Sequence, residues 1–378
     1  GGKPVTCSLE LSARLNGPKR ALTALLNARL IAPVTELLAA MTDSLAARSI
    51  AAPLMVMRGD GSLVSADFMR DRPIETILSG PAASIVGATH LLLAQGHAPS
   101  NAVVADIGGT TTDIAVVRDG VPQFSPDGAV VGRHHTMVHA VRMHTHGLGG
   151  DSLVEVDDRA TTPTLRIGPR RVVPLSQLAM THRDAVASML TAQLDDYRSH
   201  AHNNRMLQRQ GEPAGALGEA ERAMLDRLGR DPAPMRAAVT SRTDERTVER
   251  LMAAALVIES GFTPTDASHA LGRQSTYDSE IAELAAAVFA RSKDRFGTEI
   301  APDGNAASLM VLRTLASTSA DAALRAAFDH DGLGADFALT APVQAALADD
   351  AAAGRLTRIS VELGAPVVAL GASASIYY

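Results

Sequence analysis

The stretch "VVADIGGTTTDIAVV", residues 103–117, constrains the fold most. Two apolar runs flank a short segment of Gly and Thr, with Asp106 before it and Asp113 after it. Apolar runs of this length that end in Gly-rich punctuation predict two buried strands joined by a tight turn. Gly lets the backbone come close to a ligand, and successive N–H groups with Thr hydroxyls can donate to phosphate oxygens. An Asp beside such a nest does not bind phosphate; it holds Mg2+ through water or orients an attacking water. A bare Gly-Gly-Thr also serves as an ordinary hairpin turn. Neither the Walker pattern nor G-x-G-x-x-G is present here.

The rest of the chain limits what this turn can belong to. At 378 residues it has room for two or three domains, at about 150 residues each. A net charge of −6 argues against a general nucleic-acid binder. The single cysteine, Cys7, fits a reducing, cytoplasmic setting, and no secretory signal or uninterrupted membrane-length apolar run is expected.

Apolar spacing predicts helix over 18–48, broken or kinked at Pro33, and a helix over 79–96 with Ser79 as cap. "PLMVM" (53–57) reads as a short buried strand, and 164–175 as strand and turn. Residues 181–230 read as polar and mostly helical. "GFTPTDASHALG" (261–272) holds a capped helix: Thr263 as cap, Pro264 first, Asp266 three after the cap, Gly272 as stop. Thr265 and Asp266 are also candidates for substrate-side contacts. Further helices are expected at 278–292 and 305–327, and a strand entering a Gly turn at 365–375. Two helices within 217–260 have the lengths of a helix–turn–helix, but the second balances Arg246 and Arg250 against Glu245 and Glu249. A DNA reader needs a basic recognition helix, so this segment reads as a helical insertion for subunit contacts.

Five of the twelve histidines fall at 134, 135, 139, 144 and 146, and Asp151 follows. His144 and His146, two apart, would share one strand face. The turn at 147–150 can return Asp151 toward them. His with carboxylate suits Zn2+ or Mn2+; the alternative is a set of ordinary hydrogen-bonded histidines.

Four motifs taken together, "RPIETILSGPAAS" (72–84), "VVADIGGTTTDIAVV", "HGLGGDS" (146–152) and "GFTPTDASHALG", resemble those of the hydantoinase A / 5-oxoprolinase family, in that family's order. The resemblance extends over essentially the whole chain. It implies an α/β, actin-like ATPase (ribonuclease H-like) fold, partial here, with a helical insertion. It implies domains at 1–100 (end of a first lobe), 101–180 (start of a second lobe with the phosphate hairpin), 181–260 (the insertion) and 261–378 (the remainder).

The activity implied is ATP-dependent hydrolysis of a cyclic amide of the hydantoin or 5-oxoproline type. The alternatives are the ATP-using subunit of a ketone carboxylase, or a non-catalytic nucleotide-binding and assembly module. Asp106 and Asp113 would be catalytic. Gly108, Gly109, Thr110, Thr111 and, at the adenosine-side turn, Gly371 would hold ATP with Mg2+. A transition metal would sit at His144, His146 and Asp151; many relatives carry Gly where this chain has Asp151. Implied partners are an N-terminal hydantoinase A domain and a hydantoinase B-type subunit in an oligomer, with no nucleic acid and no membrane. A second phosphate hairpin and a C-terminal Ala/Gly-rich stretch, usual in the family, are not found. The resemblance therefore implies an excised or split piece, with weak ATP turnover alone.

Overall fold

The computed structural model describes residues 5–94, 101–157, 164–213, 215–347, 360–371 and 374. The fold is mixed α/β. It divides into two compact units, each built from separate stretches: 1–106, 113–145 and 322–370 in one, and 107–112, 146–321 and 371–378 in the other. The border crosses the hairpin itself, whereas sequence reading puts a boundary near residue 100.

The first unit is organised by a five-stranded sheet. Val367–Leu370 runs parallel to Asn101–Ile107, which neighbours Thr112–Arg118; Val121–Pro122 and His144–His146 both pair with that last strand. Val103, Val104 and Ala105 are all buried, as expected of an interior strand covered on both faces. The helix Ser79–Ala94 supplies Ala82, Ile85 and Ala88 to a core with Val104, Ala115 and Val117. Small residues on the helix let it lie close to the strands.

The helix expected to kink or break at Pro33 does not break: it is a single element, Gly17–Ala47, with Pro33 inside it. By length and composition it is the one helix among the described residues long and apolar enough to cross a membrane. The expectation of no uninterrupted apolar run missed it because a helix can reach that mean hydropathy with polar residues interspersed. Its anchorage is polar: buried Asn27 donates to the Asp71 carbonyl at 2.9 Å and to Thr6 Oγ1, and accepts from the Ile74 amide. The strand in "PLMVM" forms, at Met55–Met57, but it is not buried. It pairs only with Leu63–Ser65, and Met55 lies exposed.

Among the described residues, two hydrophobic clusters fill much of the second unit. The larger joins the helices Leu175–Asp195, Ser279–Ala290 and Gly304–His330 to Phe262 and Leu148. The smaller holds Leu207, Met224, Leu225, Val248 and Leu251. The segment read as mostly helical is mixed. Met206–Arg209 is a strand, antiparallel to Val257–Gly261, in a four-stranded sheet with Val173–Pro174 and Ala233–Pro234. The helix Pro264–Ala270 has the expected Thr263–Asp266 capping box, and Gly272 follows at φ +68°.

Candidate functional site

The expected strand–turn–strand is present. Asn101–Ile107 and Thr112–Arg118 flank a turn closed by a 2.9 Å bond from the Gly108 amide to the Thr111 carbonyl. Asp106 is half-buried at the end of the first strand. Asp113 is half-buried at the start of the second and accepts a 2.5 Å hydrogen bond from the Thr145 hydroxyl. Thr110 is exposed at the tip. The amides of Gly109 and Thr110 make no hydrogen bond among the described residues. Two free N–H donors beside an exposed hydroxyl are a fitting set for an anion.

The tip, residues 107–112, belongs to the second unit and is held by neighbours within it. The loop after His146 runs along the turn: the Asp151 amide donates to the Gly109 carbonyl at 2.7 Å and the Gly150 amide to the Gly108 carbonyl at 3.2 Å. The Thr112 hydroxyl, fully buried, donates to the Leu148 carbonyl. A Cβ on Gly149 would lie 2.5 Å from the Gly108 carbonyl oxygen, so only glycine permits the approach. On the other side Gly371, at φ +101°, abuts the Ile107 carbonyl; a Cβ there would lie 2.2 Å from that oxygen. Gly108, Gly109 and Gly371 therefore meet around one turn.

Asp151 is the feature the sequence placed elsewhere. Its Oδ2 would be 2.7 Å from a Cβ built on Gly109, so the carboxylate stands against the turn. Arg171 Nη2 lies 3.3 Å from Oδ2, and the Thr265 hydroxyl 3.5 Å from Oδ1. Burial pushes the Asp151 carboxyl above its ordinary range, with Arg171 and Thr265 pulling against it. The sign follows: a carboxyl raised in the folded state contributes stability that is present below the ordinary Asp range and is lost as pH rises through the raised value. Asp151→Asn is therefore expected to be at least as stable as the wild type at pH 7, with its relative advantage shrinking toward pH 4. Thermal unfolding at the two pH values checks this, and a variant clearly less stable at pH 7 would contradict it.

The expected metal set is not assembled. His144 and His146 do lie on one strand, half-buried on the same face with Thr145 exposed between them. But His144 Nε2 lies 3.3 Å from Asp329 Oδ2, and Asp329 also pairs with Arg142. Asp151 is engaged by Arg171. His139 stacks on Phe124, and His134 and His135 are exposed. Among the described residues no group of three His, Cys, Asp or Glu could hold a metal ion. Strand periodicity gives the shared face correctly; which carboxylate meets it depends on tertiary packing.

Asp266 is not a substrate contact. It is fully buried and accepts bonds from the Thr263 amide and hydroxyl, from the Leu175 and Ser176 amides and from the Ser176 hydroxyl. It thus caps its own helix and the start of Leu175–Asp195 together. Thr265, held next to it, donates its amide to the Gly150 carbonyl at 2.9 Å. Sequence reasoning missed Arg171 altogether, because nothing separates it from the neighbouring arginines of "GPRR".

Comparison with known proteins gives the family. The family described as Hydantoinase/oxoprolinase matches residues 20–278, and the chain belongs to that family. It is 32% identical over 118 residues to the caprolactamase subunit alpha of Pseudomonas jessenii, covering 31% of this chain and 16% of that one. It is 27% identical over 170 residues to the acetophenone carboxylase gamma subunit of Aromatoleum aromaticum, covering 45% and 22%. Among solved structures it resembles nucleotide-free acetone carboxylase at a TM-score of 0.50 and 16% identity, over 86% of this chain and 35% of that one. The chain thus matches only a minor part of the length of these relatives.

Proposed function

We propose that this chain carries the phosphate-binding core of an ATP-dependent hydrolase acting on a cyclic amide. One observation carries the reading: a Gly-rich turn with free amides and an ionisable carboxylate, Asp151, set against it. The similarity to a caprolactamase subunit supports the substrate class. In this reading the actin-like ATPase fold frames the site, and a partner subunit completes the enzyme.

Lactam rings resist hydrolysis because the amide is resonance-stabilised. Transfer of the γ-phosphoryl group to the lactam oxygen, releasing ADP, makes that oxygen a leaving group. Water then adds to the activated carbon, the C–N bond breaks as the ring nitrogen takes up a proton, and a second water hydrolyses the resulting acyl phosphate to give the open amino acid and phosphate. The Gly109 and Thr110 amides with the Thr110 and Thr111 hydroxyls hold the phosphates. A phosphate held by these amides would stand close to the Asp151 carboxylate, which lies against Gly109. That juxtaposition suits Mg2+, which would supply charge neutralisation; Asp151 stands against the turn, and Asp106 and Asp113 flank the turn in sequence. Asp151, with its raised pKa, is suited to accept a proton from the attacking water.

The ketone-carboxylase reading has the similarity to the acetophenone carboxylase gamma subunit in its favour. The assembled enzyme decides between them. Mg-ATP turnover is expected to depend on a cyclic amide and not on bicarbonate, and Asp106→Asn is expected to abolish it while the fold persists. Bicarbonate-dependent turnover without amide hydrolysis would reject the hydrolase reading. The acid limb of the pH profile should lie above the ordinary carboxylate range. It should move higher still in Arg171→Leu, because Arg171 holds the Asp151 pKa down. An unmoved limb would remove Asp151 from the proton-accepting role.

A further inference from the structure

The second unit holds a cavity of about 660 Å3, remote in sequence from the turn residues, and this size falls within the range of small-molecule sites. One wall is the helix Arg242–Ala253, which turns Glu245, Val248, Glu249 and Met252 toward it. Those positions fall at the i, i+3, i+4, i+7 spacing of a single helix face. Met235 and Val248, both buried, form an apolar floor with Met252. Arg166 and Arg170 come from the strand Thr164–Arg171.

The charges here are unevenly matched. Glu245 and Glu249 stand one turn apart, an arrangement in which like charges repel. Neither carboxylate accepts a hydrogen bond among the described residues. The nearest cations are His202 Nε2, 3.7 Å from Glu245, and Arg170 Nη2, 4.0 Å from Glu249. Both distances exceed hydrogen-bond length. Burial, with Arg205 and His200 nearby, holds His202 below the usual histidine range, so it does not neutralise Glu245. Arg205 is not on offer either, since it is buried against Glu259 at 2.5 Å. Arg170 gives Nη1 to Glu259 at 3.1 Å, which leaves most of its five donors open.

We propose that this cavity binds a free α-amino acid with an aliphatic side chain. The α-carboxylate takes the open edge of Arg170, whose planar guanidinium suits bidentate recognition, while Arg166, the other arginine this strand brings to the cavity, pairs with Glu155. The α-ammonium lies between Glu245 and Glu249 and relieves their repulsion. The side chain rests on Met235, Val248 and Met252, where the flexible methionines adapt to its shape. The closeness of Arg170 to Glu249 selects an α-amino acid, whose two charges sit on one carbon, over a compound with charges at opposite ends. The inference rests on this cavity alone and does not depend on the cyclic-amide reading.

Isothermal titration calorimetry of the full protein that carries this chain, without nucleotide, tests it. The probes are L-leucine and L-methionine, with glycine, isocaproate and isoamylamine as controls lacking the side chain or one charge. Leucine and methionine are expected to bind, and each control to bind at least about tenfold more weakly, roughly one lost contact. Glu249→Gln, at an exposed position, should weaken leucine about tenfold with an unchanged melting temperature, and Arg170→Met should do so as well. Three results would overturn the proposal: no heat up to about 10 mM leucine or methionine, a concentration that detects even weak binding; controls that bind equally well; or leucine affinity unaltered in Glu249→Gln.

Discussion

Replacing Asp266 by alanine is expected to destabilise the fold by about 3–5 kcal/mol, since three buried amides lose their acceptor at about 1–3 kcal/mol each before relaxation. The amides are those of Leu175, Ser176 and Thr263, and the Ser176 and Thr263 hydroxyls lose the same partner. Burial raises the Asp266 pKa against the pull of Ser176 and Thr263. Its negative charge is therefore not the source of stability; its geometry as an acceptor is. Asp266→Asn keeps one acceptor oxygen but turns donors toward donors, so it should fall between wild type and alanine. Urea unfolding measures both, and a loss below about 1 kcal/mol for alanine, the cost of a single ordinary cap, would show that other groups satisfy these amides.

The second large effect is expected at Gly149. In Gly149→Ala the new Cβ would lie 2.5 Å from the Gly108 oxygen and 2.6 Å from the Gly109 carbonyl carbon and oxygen. All three are backbone atoms, so no side chain can swing aside and the turn itself must shift. A displacement of about 1 Å at a catalytic position costs about 100-fold in rate. On the proposed ATP-dependent reading, Mg-ATP turnover by the assembled enzyme should fall by about that factor, while the hydrophobic clusters of the second unit, which do not include Gly149, keep the unfolding midpoint nearly unchanged. Turnover within about threefold of wild type would mean that the amides of this turn do not hold the reacting phosphate, since positioning would then contribute little.

What could be read from the sequence was local. The hairpin announced itself because its strands are apolar throughout and its turn has no apolar residue. The Thr263–Asp266 cap was legible because all its parts lie within four residues. The second role of Asp266, at Leu175 and Ser176, was not, because nothing in sequence links positions 90 and 91 residues apart. Met206–Arg209 was missed for a similar reason. Four residues in a polar neighbourhood carry no period, and the strand exists through its pairing with Val257–Gly261. At the turn, the glycines and threonines were legible by type. The position of Asp151 was not, since a loop rich in Gly can fold toward the histidines or toward the turn. Packing placed it against Gly109.

The double cap at Asp266 also bears on how the chain is made. Leu175–Asp195 leaves the ribosome well before Asp266 does, so its first amides emerge without the acceptor that will serve them. Until about 90 further residues follow, that helix end is held only by water and by its own apolar face, in a chain synthesised at about 5–20 residues per second. For those seconds the two amides stand open to water, and a chain truncated just before Asp266 is expected to keep them so.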